Sequence, residues 1–377
     1  MLVSMKLTIQ LQVLPDAESD RKLCSTIERF NEAANWLAGE AFAIGLANKV
    51  ELQKIHYREL RDRFGLSAQM AVRCIANVVE AYKRDRRKRP RFRVHAAMPF
   101  DQRMMSFKGI DRVSLLTIEG RVIVPFVMGR YQRERFTLHK GQADLVLGRD
   151  GKWFLLVTVD MPDGAPLPVS DFIGVDLGVA NLASTSDGTR ASGTEVEAVR
   201  TKHARVRRSL GKKMSHKHKR RTRRNARRAV KRIGNREQRF RRHINHVISK
   251  SLVAIAKDTG RGLAMEDLKG IRERTRFRRE QRARLGGWAF AQLRAFVEYK
   301  AKLAGVPVVV VDARNTSRTC TECGHCEKAN RQSQSLFSCR ACGHTAHADI
   351  NAARNIARLG AAVNRPEVTE PSHSLAA

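Results

Sequence analysis

The sequence predicts an α/β domain with a cysteine-rich insertion, preceded by a small antiparallel sheet or barrel that carries a block of helices. Three observations predict it. Residues 1–16 and 94–168 alternate apolar and polar side chains, the period of half-buried strands. Residues 17–93 repeat apolar side chains every three to four positions, the period of helices. From residue 169 onward, short apolar runs alternate with helical stretches, as in a sheet covered by helices. A chain of 377 residues with 42% hydrophobic content can bury two or three such cores.

The segment MLVSMKLTIQLQVLPD reads as one strand. Leu23, Ile27, Phe30, Ala34, Leu37 and Ala41 share one face of a helix within residues 17–48. Val72, Ile75, Val79 and Tyr82 share a face of another, with Cys74 beside them as a small buried hydrophobe. This block ends in KRDRRKRPRFR, residues 83–93, where Pro90 is expected to stop the helix. Strand-like runs then break at Glu119-Gly120 and at Asp150-Gly151, the latter a hairpin signal. PDGAPLPVSD, residues 162–171, is a linker.

Residues 172–177 and 182–186 read as two strands of a hairpin, and 202–258 as a long helical excursion. The second part of that excursion carries Phe240, Ile244, Val247, Ile248, Leu252 and Ile255 on one face. Residues 263–266 form a short buried strand. Residues 288–304 form a helix with Leu293, Phe296 and Val297 inward and Gly305 as its C-cap. Residues 306–311 are continuously apolar, like a strand covered on both faces. The α/β domain thus takes residues 169–317, the cysteine-rich insertion 318–345, and the last helix 346–360. Residues 361–377 are read as a disordered tail.

Lys+Arg outnumber Asp+Glu by 72 to 37, a formal net charge of +35. Such a field attracts polyanions, and nucleic acid is the leading partner. A membrane surface fits poorly, because no basic amphipathic helix with a Trp/Leu face lies near a terminus. No apolar run approaches the roughly 20 residues that span a bilayer, and the first strand lacks the longer apolar core of a signal peptide. Five of the seven cysteines lie within 23 residues. That clustering points to metal ligation in a reducing compartment, the cytoplasm, rather than to disulfides.

Three acids sit inside apolar segments: Asp176 in FIGVDLGVANLASTSDG, Glu266 in GRGLAMEDLKG and Asp349 in HTAHADINAARNI. A charge inside a strand such as Asp176 is costly without a partner or a metal. Gly178 would let an ion or phosphate approach the backbone. Glu266 ends a strand, where α/β folds place their sites, and Asp349 opens the last helix. Each has an ordinary alternative. Asp349 could be a helix cap, Asp267 competes with Glu266, and Asp312 competes with Asp349. Taken in order, the three match a ribonuclease H-like layout in which carboxylates hold two Mg²⁺ or Mn²⁺ ions and hydrolyse phosphodiesters.

CTECGH and SCRACGH give the spacing C-x₂-C-x₁₅-C-x₂-C, that of a structural zinc ribbon on Cys320, Cys323, Cys339 and Cys342. Cys326 extends the first pair and could replace a neighbour. Gly324-His325 after Cys323 mirrors Gly343-His344 after Cys342, which favours the first assignment. His325, His344 and His347 are expected beside the ligands or at the surface. Residues 202–242 hold 20 Lys/Arg and one acid, Glu237, and supply over half the net charge. Like charges this dense disfavour a helix until an anion neutralises them. Lys212, Lys213, Lys217, Lys219, Arg220, Arg221, Arg223, Arg224, Arg227 and Arg228 are therefore expected to contact nucleic-acid phosphates. RERTRFRREQRAR, residues 272–284, reads equally as a basic loop beside the acids or as an exposed linker.

GVDLGVANLASTSDG, MEDLKG, GWAFAQLRAFVEYKAKLAG and NTSRTCTECGH…CRACGHTAHADINAARNI stand in the order found in the TnpB family, which this chain resembles over residues 172–360. These are transposon-encoded proteins, long described as transposases and related to type V CRISPR effector nucleases. The resemblance implies an RNA-guided DNA endonuclease, monomeric in its RNA complex, with a guide RNA from the transposon end and a double-stranded DNA target. It implies that Asp176, Glu266 and Asp349 form one RuvC-type site and the four cysteines a zinc ribbon. It also implies that residues 1–16 and 94–168 form a wedge domain and 17–93 a recognition domain. Two alternatives stay in view. One is a catalytically silent RNA-guided DNA-binding protein, which the intact triad opposes. The other is a strand-transferring transposase, since acidic triads serve that chemistry too. An actin-like ATPase shares the Asp-x-Gly strand, but its further Gly-rich phosphate loops are missing.

Overall fold

The computed structural model describes residues 4–137, 140–215, 217–268, 290–312 and 314–364. The expected basic loop at 272–284 and the tail at 365–377 lie outside the described residues. The chain divides into two compact units, Met1–Pro162 and Asp163–Ala377.

In chain order the first unit contains β1 (Ser4–Val13), α1 (Ala17–Ala43), α2 (Lys49–Phe64), α3 (Ala68–Tyr82), β2 (Met98–Phe100), β3 (Met105–Lys108), β4 (Arg112–Thr117), β5 (Gly120–Val127), α4 (Arg130–Phe136), β6 (Lys140–Leu147) and β7 (Trp153–Pro162). The strands form one antiparallel sheet in the order β2-β6-β7-β1-β5-β4-β3. The first strand pairs with the last along its whole length, from Ser4 opposite Pro162 to Val13 opposite Trp153. That pairing closes the unit around the inserted helices.

Each of the three helices begins at a polar cap. Asp16 accepts from the Ser19 amide at 2.8 Å, and Asn48 and Ser67 do the same for α2 and α3. Leu23, Ile27, Phe30, Ala34, Leu37 and Ala41 are buried, as their spacing predicts. On α3 the buried stripe is Ala71, Cys74, Ile75, Val78 and Tyr82, so Val72 and Val79 lie at its margin. Cys74 is fully buried and burial pushes its thiol up, as befits a core residue. The helix stops at Tyr82, where its apolar stripe runs out, and not at Pro90. Gly151 turns the β6–β7 hairpin at φ 77°.

The second unit contains β8 (Phe172–Asp176), β9 (Asn181–Thr185), β10 (Arg190–Ser192), α5 (Thr194–Lys213), α6 (Arg220–Ile233), α7 (Arg236–Asp258), β11 (Gly262–Glu266), α8 (Phe290–Ala304), β12 (Val308–Val311), a hairpin of β13 (Leu336–Ser338) and β14 (Thr345–His347), and α9 (Ala348–Val363). Its main sheet runs β10-β9-β8-β11-β12. β8, β11 and β12 are parallel, while β9 and β10 are antiparallel additions.

Alternation along the strands assigns the two faces. Ile173, Val175, Leu263 and Met265 pack with Ile248, Leu252 and Val253 of α7 and with Leu293 and Val297 of α8. Phe172 and Ala264 pack with Ile356 of α9 on the other face. Gly174 lies against α9, and a Cβ there would overlap the Ala353 carbonyl oxygen. That close approach sets the helix on the sheet.

Five expectations change. The helical excursion begins at Thr194 and folds as three helices, with α6 formed despite its charge. Val247 is 52% exposed, because the buried stripe of α7 runs through Asn245, Ile248, Ser249 and Leu252. Phe296 is half-buried and stacks on His246 with centroids 3.9 Å apart. β12 is a sheet edge with three of its four valines half-buried, since nothing pairs beyond it among the described residues. The last helix runs past Gly360 to Val363. Among the described residues, no helix is long and apolar enough to cross a membrane.

Candidate active site and metal centre

Asp176 and Glu266 are the last residues of two neighbouring parallel strands. Met265 is in register with Val175, so the two acids end side by side. The pleat turns both to the face that carries α9, the face of Gly174 and Ala264. His347 caps α9, its Nδ1 accepting from the Asp349 amide at 3.3 Å. Asp349 is therefore the second residue of the helix and not its cap. It is 5% exposed, and an acid in a first helical turn suits the dipole.

The sheet and the helix thus bring the three acids together electrostatically. Burial raises Asp176 to about 8, and the charges of Glu266 and Asp349 add to the rise. Burial also raises Glu266, which is 7% exposed, while the Thr316 hydroxyl opposes the shift by donating to its Oε1 at 2.5 Å. Asn181 Nδ2 donates to Asp349 Oδ2 at 2.8 Å, and Arg331 donates to Oδ1 at 3.3 Å. The competing acids are used elsewhere. Asp267 pairs with Arg294 at 3.0 Å, and exposed Asp312 pairs with Arg314 at 2.6 Å. Gly178 serves the β8–β9 turn, since a Cβ there would meet the Asn181 carbonyl at 2.7 Å.

Among the described residues, the Sγ atoms of Cys320, Cys323, Cys339 and Cys342 all lie within 4.8 Å of one another. This cluster could hold a metal ion. Cys326 is exposed and outside it. The two halves repeat one geometry. The Cys320 amide donates to the His325 carbonyl at 2.9 Å, and the Cys339 amide to that of His344 at 2.8 Å. Gly324 and Gly343 both hold positive φ, 75° and 72°. Only a residue tolerant of that region closes such a turn easily, and the Gly-His pairs accordingly mark the two halves that cluster.

The segment before the cluster is tied to α9. Asn355 Nδ2 donates to the carbonyls of Thr316 and Thr319 at 2.8 and 2.7 Å, and Asn351 Nδ2 to that of Thr319 at 2.8 Å. This strap is what presents Thr316 to Glu266. The motif around Asp349 therefore positions two of the three acids. Arg331, Asn181 and Thr316 were not singled out by sequence, because an Arg among many or a lone Asn or Thr carries no signal before folding.

Of the ten basic residues expected to meet phosphates, nine are exposed along the end of α5, the connection and α6, and Arg223 is half-buried. Buried Glu237, the single acid of residues 202–242, accepts from Arg207 at 2.8 Å and ties α7 to α5. In the first unit, Arg84, Lys88, Arg89, Arg91, Arg93 and Arg149 line a cavity of about 1150 Å³. In the sequence that run marks only the end of a helix.

With this geometry in hand, the comparisons with known proteins are specific. Residues 156–272 match the family model described as a probable transposase of the OrfB/IS605 type, and residues 290–356 that of the Cas12f1-like TNB domain. The putative RNA-guided DNA endonuclease InsQ of Escherichia coli K12 is 28% identical over 311 residues, 76% of each chain. The CRISPR-associated endodeoxyribonuclease Cas12f1 of Sulfoacidibacillus thermotolerans is 34% identical over 225 residues, 55% of this chain and 50% of that protein. A TnpB-like protein of Methanocaldococcus jannaschii is 35% identical over 128 residues, 34% of this chain and 45% of that protein. The fold resembles that of Cas12f1 in a cryo-EM structure of its complex with single-guide RNA and target DNA. The TM-score is 0.62 at 14% identity, covering 94% of this chain and 99% of that one. This chain spans about half the length of the Cas12f1 relatives that head the comparison.

Most of the second unit is thus matched by two family models, one described as a probable transposase and the other as a Cas12f1-like TNB domain. The chain is similar to proteins described as TnpB-like, as Cas12f1 and as a putative RNA-guided DNA endonuclease.

Proposed function

We propose that this protein is an RNA-guided, divalent-metal-dependent DNA endonuclease of a transposon, hydrolysing phosphodiester bonds at one RuvC-type site. The observation that carries this reading is the gathering of three acids from separate segments at the ends of β8 and β11 and the first turn of α9, where burial, with the charges of Glu266 and Asp349 adding to it, raises Asp176 to about 8. The sheet order and the helix laid on it fit a ribonuclease H-like fold. The names of the relatives, an RNA-guided DNA endonuclease and an endodeoxyribonuclease, support the activity.

The residues fit hard cations. The acids offer oxygen ligands only, and their mutual repulsion calls for a positive charge among them. When bound, two Mg²⁺ or Mn²⁺ ions would supply Lewis-acid activation of the attacking water and offset the charge developing on the phosphate and the leaving 3′ oxygen. Asp176 and Glu266 would hold these ions from the rigid strand ends, and Asp349 from the helix. Thr316 fixes one oxygen of Glu266, while Asn181 fixes the rotation of Asp349. Cys320, Cys323, Cys339 and Cys342 would hold one structural zinc, since four thiolates leave no open position.

Lys212, Lys213, Lys217, Lys219, Arg220, Arg221, Arg223, Arg224, Arg227 and Arg228 would bind phosphates without reading sequence. Base pairing by a guide RNA from the transposon end would read the double-stranded target. The working form is a monomer with its RNA, acting in the cytoplasm.

Sequencing the RNA that purifies with the protein from its host tests the guided reading. One abundant RNA that ends beside the protein's own coding region is expected. Heterogeneous RNA that washes off in moderate salt would leave an unguided nuclease or a transposase.

A further inference from the structure

Arg331 comes from the cysteine-rich insertion, between the two cysteine pairs, yet its guanidinium donates to Asp349 Oδ1 at 3.3 Å. Its charge also acts on Asp176 and Glu266. The pair is sheltered, with side chains 28% and 6% exposed for Arg331 and Asp349. The backbone at this point is held firmly. Asn330 is fully buried, its Nδ2 donates to the carbonyls of Arg318 and His325 at 2.9 and 3.1 Å, and its Oδ1 accepts from the Arg340 amide at 2.9 Å. Arg331 itself bridges to Phe337, which is also fully buried.

We propose that Arg331 is a stand-in counter-charge, which holds Asp349 in the metal-free chain and must release it before a divalent cation can take that oxygen. The inference rests on the reading of the three acids as metal ligands. Three sheltered carboxylates without a positive partner would oppose folding. A guanidinium among them offsets that repulsion, so the chain folds before it meets a metal. The same guanidinium repels an incoming cation and competes for the same lone pair. Arg331 is therefore a positioning residue that lowers metal affinity in the resting protein.

The test is calorimetric titration of the full-length, RNA-free protein with Mn²⁺, with zinc content and thermal melting recorded for each variant. Arg331→Gln is expected to bind Mn²⁺ about tenfold tighter than wild type and to melt lower without metal. Arg331→Lys, which keeps the charge, is expected to stay close to wild type. A merely structural role would leave affinity unchanged or weaken it in both. Arg331→Gln that keeps its zinc and binds Mn²⁺ no tighter than wild type would overturn the proposal. If that variant loses zinc, Arg331→Met, of similar length, is held to the same criterion. If wild type binds no Mn²⁺ and matches Asp176→Ala, the metal-site reading itself fails, and the inference with it.

Discussion

Asp176 ends an apolar strand where burial and the charges of two other acids act on it, a placement that weakens the fold. A carboxyl raised to about 8 by burial and like charge is strained relative to one in water. Asp176→Asn keeps the shape and removes the charge. The metal-free variant is expected to be more stable than wild type by roughly 1–3 kcal/mol at neutral pH, and to lose the rise in melting temperature that Mn²⁺ gives wild type. Melting curves with and without Mn²⁺ check both. Asp176 and Glu266 were legible in the sequence because charges are conspicuous inside FIGVD and GLAME, and Asp349 because it opens the last helix. The four cysteines were legible by spacing, and the mirrored Gly-His pairs separated Cys323 from Cys326. Arg331, Thr316 and Asn181 were not. Each gains meaning only when the strap across α9, the β8–β9 turn or the segment between the cysteine pairs brings it to an acid.

Glycine governs the next scale. Gly174 lets α9 lie directly on β8, and the ends of those two elements carry Asp349 and Asp176. Gly174→Ala is expected to lower stability by about 3 kcal/mol or more, since backbone on both sides must shift to admit the methyl. A denaturant midpoint matching wild type would show that the helix can move freely. Strands and helices of the α/β unit were largely readable from period, and so were the cap at Gly305 and the Asp150-Gly151 turn. What escaped the sequence depends on pairing. Four valines read alike in a central or an edge strand, so β12 was expected to be covered on both faces. Likewise Val247 shares the helical period of its neighbours, but α7 buries Asn245 and Ser249 instead, where Lys300 donates to Ser249 at 2.6 Å.

At the scale of the molecule, charge dominates. The net charge of +35 is concentrated where α5 meets α6, and like charges there persist in a helix with few acids to offset them. Replacing Arg220, Arg221, Arg224, Arg227 and Arg228 together by Ala is expected to weaken RNA binding and to flatten its salt dependence. The slope of log K against log salt should fall by about 3–4, near 0.7 for each lost contact to a single strand. An unchanged slope would mean that these arginines face solvent in the complex.

The central proposal is that the three acids cut DNA under RNA guidance. The most direct measurement is cleavage of a plasmid carrying the sequence complementary to the co-purified RNA, in Mg²⁺ or Mn²⁺, by wild type and by Asp176→Ala at equal RNA occupancy. Wild type is expected to break the matched plasmid and leave an unmatched one intact, while Asp176→Ala binds the matched plasmid and leaves it whole. Equal cutting by the two proteins, or joined rather than broken products from wild type, would contradict it.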